Sequence, residues 1–304
     1  MTFHGQTNLI KNIPKTEMDA YYSFFEERAR ASDFCRIKYL ILGNITVKIE
    51  NHVPELAEHI ETQLAYCISD NAESYDKTFI IWHDDVRSYV TDSVNKYVPL
   101  FIFSKDLDKP VIEIYLSENK LSAFNPETQT YYLAQYENFS IDCIREMGHL
   151  FVKQIYQMAK TPAQIFTHSA AVGIDGKGVL LAARGGGGKS TLAISAMLDN
   201  FQYVSDDYSI LNKTADGLYA YPIYSTVNMF PPMKAKMKTL VAEYMYNNYW
   251  HPQKLTMSIH AHHDQFVKKL PVYAVIFPKI SDVDMPSIEP MDKGKAIVQM
   301  AHST

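Results

Sequence analysis

The sequence predicts an α/β chain: a C-terminal domain built on a mixed sheet, preceded by a smaller α+β module. Three observations point there. Short β-branched and aromatic runs bounded by turn residues recur along the whole length, with few segments of helical period between them. An apolar run at Gly178–Ala183 leads into Gly185, Gly186, Gly187 and Gly188, then Lys189-Ser190-Thr191 and a helical stretch, Leu192–Leu198. The 304 residues, 47% hydrophobic and 21% charged, suffice for one large domain or two modest ones with a real core.

Bulk properties exclude several classes. A net charge of −5, from 29 bases against 34 acids and without a Lys/Arg block, gives no footprint for nucleic acid. Residues 1–11 are polar and no stretch has the apolar length to cross a bilayer, so neither a secretory signal nor a membrane partner is expected. Cys35, Cys67 and Cys143 form no paired motif and read as buried small hydrophobes in a reducing, cytoplasmic compartment. Self-association stays open.

In the first half, Cys35–Leu42 and Ile45–Ile49 read as strands joined at Gly43-Asn44. Pro54 opens a helix expected to reach Ser69. Strands follow near Thr78–Trp82, Tyr97–Phe103, Val111–Leu116 and Thr130–Ala134. Asp142 is expected to cap a helix from Ile144 to Ala159, and Thr161-Pro162 ends it. These signals place a boundary between a module at 1–160 and a domain at 161–304. Tyr21, Tyr22, Tyr131 and Tyr132 read as half-buried packing residues. No motif in 1–160 carries chemistry, although the module could serve acceptor recognition.

In the second half, Ile165–Ile174 and Gly178–Ala183 are expected as strands around an Asp175-Gly176-Lys177 turn. Phe201–Ser205 is a strand ending in Asp206-Asp207, and further strands fall at Tyr208–Leu211, Leu218–Ile223, Leu255–Ile259 and Val272–Phe277. Asp292–Ala301 reads as a helix, and Met229, Met233 and Met237 fall at helical spacing as core.

A strand, a glycine run, Lys-Ser and a helix form the arrangement of a Walker A phosphate loop. Glycines let successive backbone N–H groups converge on one anion, and the positive end of the helix dipole adds to that field. Lys189 would reach the β- and γ-phosphates, and Ser190 would ligate Mg²⁺. Ala183 stands where the usual pattern has its first glycine, which costs little if its φ is negative.

Asp206 lies 17 residues after Lys189 (206 − 189), the length of one helical return to the neighbouring strand's carboxyl end. Two carboxylates there can divide labour between taking a proton and holding a metal. A helix cap or turn pair is the plainer reading of Asp-Asp, and a packed residue is the plainer reading of His168. Beside the carboxylates, His168 would orient one of them.

Taken together, His168, Gly178-Val179-Leu180-Leu181, Gly188-Lys189-Ser190 and Ser205-Asp206-Asp207 resemble the HPr kinase/phosphorylase family, related in fold to ATP-dependent phosphoenolpyruvate carboxykinases. The likeness is strong over His168–Leu211, weak from there to Thr304, and absent from 1–160. It implies an HPr-kinase-like phosphate-loop domain with ATP held at Gly185–Thr191 and Mg²⁺ at Ser190 and Asp207. It further implies Asp206 as general base and His168 orienting the pair, the two Asp roles being exchangeable. Tyr221–Pro232 lacks the acidic residue and glycine that the family carries downstream. The pattern is similar to divergent members that phosphorylate a serine on lasso-peptide precursors. The implied activity is an ATP/Mg²⁺-dependent kinase acting on a serine of a peptide or small protein. A small-molecule alcohol kinase and a non-catalytic nucleotide-sensing module are the alternatives. His260, His262, His263 and Asp264 are read as a solvated loop, and His83-Asp84-Asp85 as a strand end and turn.

Overall fold

A computed structural model describes residues 9–90, 99–104, 110–116, 118–136, 145–146, 149–237, 245–247, 253–280 and 285–301. The chain forms two compact units, Met1–Leu40 with Ile45–Ile60 and Ser69–Ile144, and Ile41–Asn44 with Glu61–Ile68 and Arg145–Thr304. No helix among the described residues is long and apolar enough to cross a membrane.

The first unit carries β1 (Leu9–Ile13), α1 (Lys15–Arg30), β2 (Arg36–Leu42), β3 (Ile45–Asn51), α2 (Pro54–Gln63), β4 (Ile68–Ser69), β5 (Lys77–His83), β6 (Leu100–Ser104), β7 (Pro110–Tyr115), β8 (Lys120–Asn125) and β9 (Thr130–Gln135), some of them shared with the second unit at their ends. These strands join in the order β1-β6-β7-β8-β9-β5-β3-β2-β4. β3, β5 and β9 run parallel, while β6, β7, β8 and β9 form an antiparallel meander. Met18, Tyr21, Tyr22, Phe25 and Ala29 make one buried stripe on α1. Phe25 packs on Trp82 at 6.0 Å, and Tyr22 stacks on Tyr132 at 5.8 Å. The four tyrosines read as half-buried are thus fully buried packing residues. α1 and β8 have no counterpart in the sequence reading.

Other expectations shift. α2 stops at Gln63, and the Cys67 carbonyl instead accepts from Ile41 N–H, so the chain turns to sheet pairing before Ser69. Cys67 is buried as expected, Cys35 is exposed, and Cys143 lies outside the described residues. Asp142, the expected cap, also lies outside them.

The second unit carries β10 (Arg145–Glu146), β11 (His149–Leu150), α3 (Val152–Ala159), β12 (Gln164–Thr167), β13 (Ala170–Ile174), β14 (Lys177–Leu181), α4 (Lys189–Leu198), β15 (Gln202–Ser205), β16 (Ser209–Thr214), β17 (Gly217–Tyr221), β18 (Thr226–Met229), α5 (Pro231–Lys236), β19 (Met245–Asn247), β20 (Leu255–Ser258), β21 (Leu270–Ile276) and α6 (Lys293–Met300). Its main sheet runs β12-β16-β17-β21-β14-β13-β15, and β18-β20-β19 form a smaller one. β14 and β21 pair parallel and the other described pairs of the main sheet are antiparallel, so the fold is mixed α/β. Ala193, Ile194 and Met197 of α4 pack with Ala170, Leu181 and Tyr203 into one core. Burying each such large apolar side chain contributes about 1.5–3 kcal/mol.

Buried glutamines hold the short segments Ile41–Asn44 and Glu61–Ile68 within the second unit. Gln164 Nε2 donates to the Ala159 and Leu42 carbonyls at 2.7 and 2.9 Å, and its Oε1 accepts from Asn44 N–H at 3.0 Å. Gln63 Oε1 accepts from Leu150 N–H at 3.2 Å. The helix expected from Ile144 begins at Val152, after His149–Leu150 has paired as a strand with Arg145–Glu146. The single strand expected over Ile165–Ile174 is two strands broken at His168-Ser169, because β12 pairs with β16 and β13 with β14 and β15. Met229 sits on β18 and Met233 on α5, so the methionine stripe is not one helix face.

Candidate active site

β14 and β15 are separated in the sheet by β13, which is antiparallel to both. The return through α4 therefore skips one strand, yet β14 and β15 point the same way and their carboxyl ends share one edge. β13 runs oppositely, so its first residues reach that edge too. This brings together the glycine loop after β14, Asp206-Asp207 after β15, and His168 just before β13.

The glycine loop is shaped for an anion. Gly186 and Gly188 have φ of +80° and +93°, values that a Cβ disfavours. Gly187 donates its N–H to the Arg184 carbonyl at 3.1 Å, and a Cβ on it would meet the Ala183 Cβ at 2.7 Å. Ala183 is not among the positive-φ residues, so alanine is tolerated there. Gly188 is the N-cap of α4, whose first N–H groups therefore face the loop. Lys189 is buried, and its Nζ donates to the Ala183 carbonyl at 2.7 Å. Burial lowers its proton affinity, against the raising pull of Asp207 and Asp206.

The two aspartates sit in opposite environments. Asp206 is 2% exposed; its Oδ1 accepts from the Tyr203 hydroxyl at 3.2 Å and its Oδ2 has no hydrogen-bond partner. Burial first, then the charge of Asp207, pushes its pKa up to about 7, against the lowering influence of the Ser190 and Tyr203 hydroxyls. The Ser190 hydroxyl also donates to the Asp206 backbone carbonyl at 3.3 Å. Asp207 is half-buried, and its Oδ1 lies 2.6 Å from His168 Nε2. Its Oδ2 lies 3.3 Å from His149 Nε2. Burial raises the Asp207 pKa, but the hydrogen bonds and charges of His149 and His168 outweigh it and hold the group well below the usual carboxylate range.

His149 is fully buried and stacks on Tyr224 at 4.2 Å. Asn228 Nδ2 lies 2.8 Å from His149 Nε2, and Asn228 Oδ1 accepts from the Thr256 hydroxyl at 2.6 Å. His149 Nδ1 lies 3.4 Å from the Thr226 hydroxyl.

A cavity of about 540 Å³ opens on this edge, lined among others by His168, the four glycines, Lys189, Ser190, Thr191 and Asp207. Asp206 is not among its lining residues. The opposite wall is Asn228, Met229, Phe230, Met233 and Ile280, with Lys254 Nζ 5.3 Å from the Phe230 ring centre. Sequence reading missed this wall because β18 was not recognised, and missed His149 because its neighbourhood reads as an amphipathic helix. No sequence signal links Lys254 or Asn228 to the loop; antiparallel pairing of β18 with β20 brings them there.

The residues fit a magnesium nucleotide. The positive-φ glycines shape a tight loop, Lys189 supplies the cation, and the Ser190 hydroxyl lies beside Asp206. Among the described residues no three His, Cys, Asp or Glu side chains gather around one point. The His260–Gln265 turn holds no such cluster; His260 and His263 are exposed.

No protein-family model matches the chain, and no curated protein matches it. Among solved structures, it is similar to the HPr(Ser) kinase/phosphatase from Coxiella burnetii, at 18% identity over 40% of this chain and 69% of that one, with a TM-score of 0.28.

Proposed function

We propose that this chain is an ATP- and Mg²⁺-dependent kinase that transfers the γ-phosphate to a serine hydroxyl of a peptide or small protein. One observation carries the reading: a glycine loop with Lys189 and an Asp207–His168 pair face the same cavity from one sheet edge. When bound, magnesium and ATP supply charge neutralisation and the transferable phosphoryl group.

The chain's own residues do the rest. Gly185–Thr191 and Lys189 hold the phosphates through backbone N–H groups and an ammonium. Positioning supplies most of the rate, since phosphoryl transfer asks little covalent chemistry of the protein. The geometry favours exchanging the carboxylate roles implied by the family resemblance. Asp207 lines the cavity, so it would align the acceptor hydroxyl and take its proton, with His168 fixing its orientation. Asp206 is buried beside Ser190, so those two would hold the magnesium, directly or through water. The serine acceptor rests on the resemblance in sequence, and Asn228 and Lys254 are polar groups on the cavity's other wall.

The test is transfer of radiolabelled phosphate from ATP to separate peptide and metabolite pools. Peptide labelling that is lost in Asp207→Asn, with nucleotide binding kept, is the expected result. Full transfer by Asp207→Asn would overturn the base assignment, and labelling of metabolites alone would overturn the acceptor class.

A further inference from the structure

Lys254 lines the same cavity as Lys189 but reaches it from a different part of the fold. Its place follows from strand register. β18 and β20 pair antiparallel with Met229 opposite Leu255, so the next step outward sets Phe230 against Lys254. Both residues stand just beyond the sheet pairing, Phe230 before α5 and Lys254 before β20. The Lys254 ammonium lies 5.3 Å from the centre of the Phe230 ring, a seat that attracts a cation without neutralising it. Phe230 is itself 44% exposed and lines the cavity too.

The charges around this cavity are unevenly matched. Lys189 Nζ donates to the Ala183 carbonyl and feels the attraction of Asp207 and Asp206. Lys254 has no such balance: among the described residues it makes no ion pair and no side-chain hydrogen bond. Asp207, the carboxylate that lines the cavity, is engaged by His168 on one oxygen and has His149 beside the other. The Lys254 charge also acts on Lys189 and lowers its proton affinity, so the two ammonium groups repel one another. Two mutually repelling cations on one cavity, one of them without a carboxylate, favour an anion there.

Resting on the kinase reading of the glycine loop, we propose that Lys254 holds the terminal phosphate of the bound nucleoside triphosphate. The site then distinguishes a triphosphate from a diphosphate. The glycine loop and Lys189 belong to one connection and hold the phosphates nearest the start of α4. Lys254 comes from a separate strand pair and carries the positive charge that the loop does not use. The γ-phosphate is the group that must part from the loop toward the acceptor, and it bears more charge than either inner phosphate. A lysine suits it as a compact point charge on a flexible stem. Trading the Phe230 ring for a phosphate oxygen replaces a cation–ring contact by a charge-assisted hydrogen bond, the stronger of the two. A neutral base or ribose gains nothing from a second ammonium, so the rival occupant is an acidic group of the acceptor.

Calorimetry on the full chain tests it, with magnesium and either ADP or the non-hydrolysable β,γ-imido analogue of ATP. Lys254→Met should weaken the triphosphate analogue roughly tenfold, the effect of one lost charge-assisted hydrogen bond, and leave ADP within about twofold. Lys254→Arg keeps the charge and should recover part of the analogue's affinity. Lys189→Met should weaken both nucleotides. Lys254 is half-buried and unpaired, so its variants should fold, with a urea midpoint close to that of the wild type. Unchanged analogue affinity in Lys254→Met, or equal losses for the analogue and ADP, would overturn the proposal and leave the phosphate loop standing. Lost peptide labelling at unchanged analogue affinity would assign the lysine to the acceptor instead. A wild type that binds neither nucleotide would overturn both readings.

Discussion

His168 Nε2 lies 2.6 Å from Asp207 Oδ1, although the residues are 39 positions apart (207 − 168) and belong to different connections. The pairing exists because β12 and β13 part at His168 while β15 ends at Asp206-Asp207 on the same edge. His149 Nε2 lies 3.3 Å from the other oxygen of Asp207. The result is a carboxylate held ionised and aimed at the glycine loop's cavity, next to a second carboxylate that burial keeps close to neutral. Each consequence can be measured.

Asp206 should make stability fall with rising pH. Its folded pKa, about 7, lies above its ordinary value, so the fold prefers the protonated form. The stability this contributes is complete below about pH 4 and is lost as pH rises to 7. Asp206→Asn should flatten that decline and raise stability at pH 8 by roughly 1–4 kcal/mol in urea unfolding. A wild-type and variant pair with parallel pH profiles would refute the buried-acid description.

Lys189 is an ammonium lowered in proton affinity by burial, so it weakens the unliganded fold. Lys189→Met should unfold at an equal or higher urea midpoint than the wild type. The same variant should lose nucleotide binding by at least about a hundredfold, the effect of removing a buried phosphate-binding charge. A midpoint well below the wild type would show that the lysine serves the fold rather than a ligand.

His149 should act on rate through Asp207. His149→Ala is expected to destabilise the chain by about 2–4 kcal/mol, since it opens a cavity and strands Asn228 and Thr226. Phosphate transfer should fall about tenfold or more with little change in nucleotide affinity, and His149→Gln should recover part of it. An equal loss of nucleotide binding in both variants would mean that His149 only supports folding.

Gly188 has φ of +93°, so Gly188→Ala should cost about 1–3 kcal/mol from strain alone. Gly185 is the control, since it lacks a positive φ and a Cβ there meets nothing within 4 Å. Gly185→Ala should keep wild-type stability in the same urea titration, and comparable losses in both variants would contradict the loop conformation.

Local chemistry was open to reading from the sequence. The glycine run before Lys189-Ser190 specifies a tight loop and a helix start through backbone sterics alone, and Gly43 and Asp175-Gly176 mark hairpins for the same reason. Asp206-Asp207 at a strand end was visible because the apolar run of β15 stops there. His149, Asn228 and Lys254 were invisible, because nothing local distinguishes a buried histidine in an apolar stretch from one on a helix. The same holds for Phe230 and Lys254, which become a pair only when β18 and β20 align antiparallel.

Backbone conformational limits and hydrophobic period act over a few residues, and those the amino-acid order states directly. Strand order, the break at His168, the burial that separates Asp206 from Asp207, and the placing of a fully buried histidine depend on which distant segments pair. Those pairings are chosen by the summed burial of the whole core, so only the folded chain decides them.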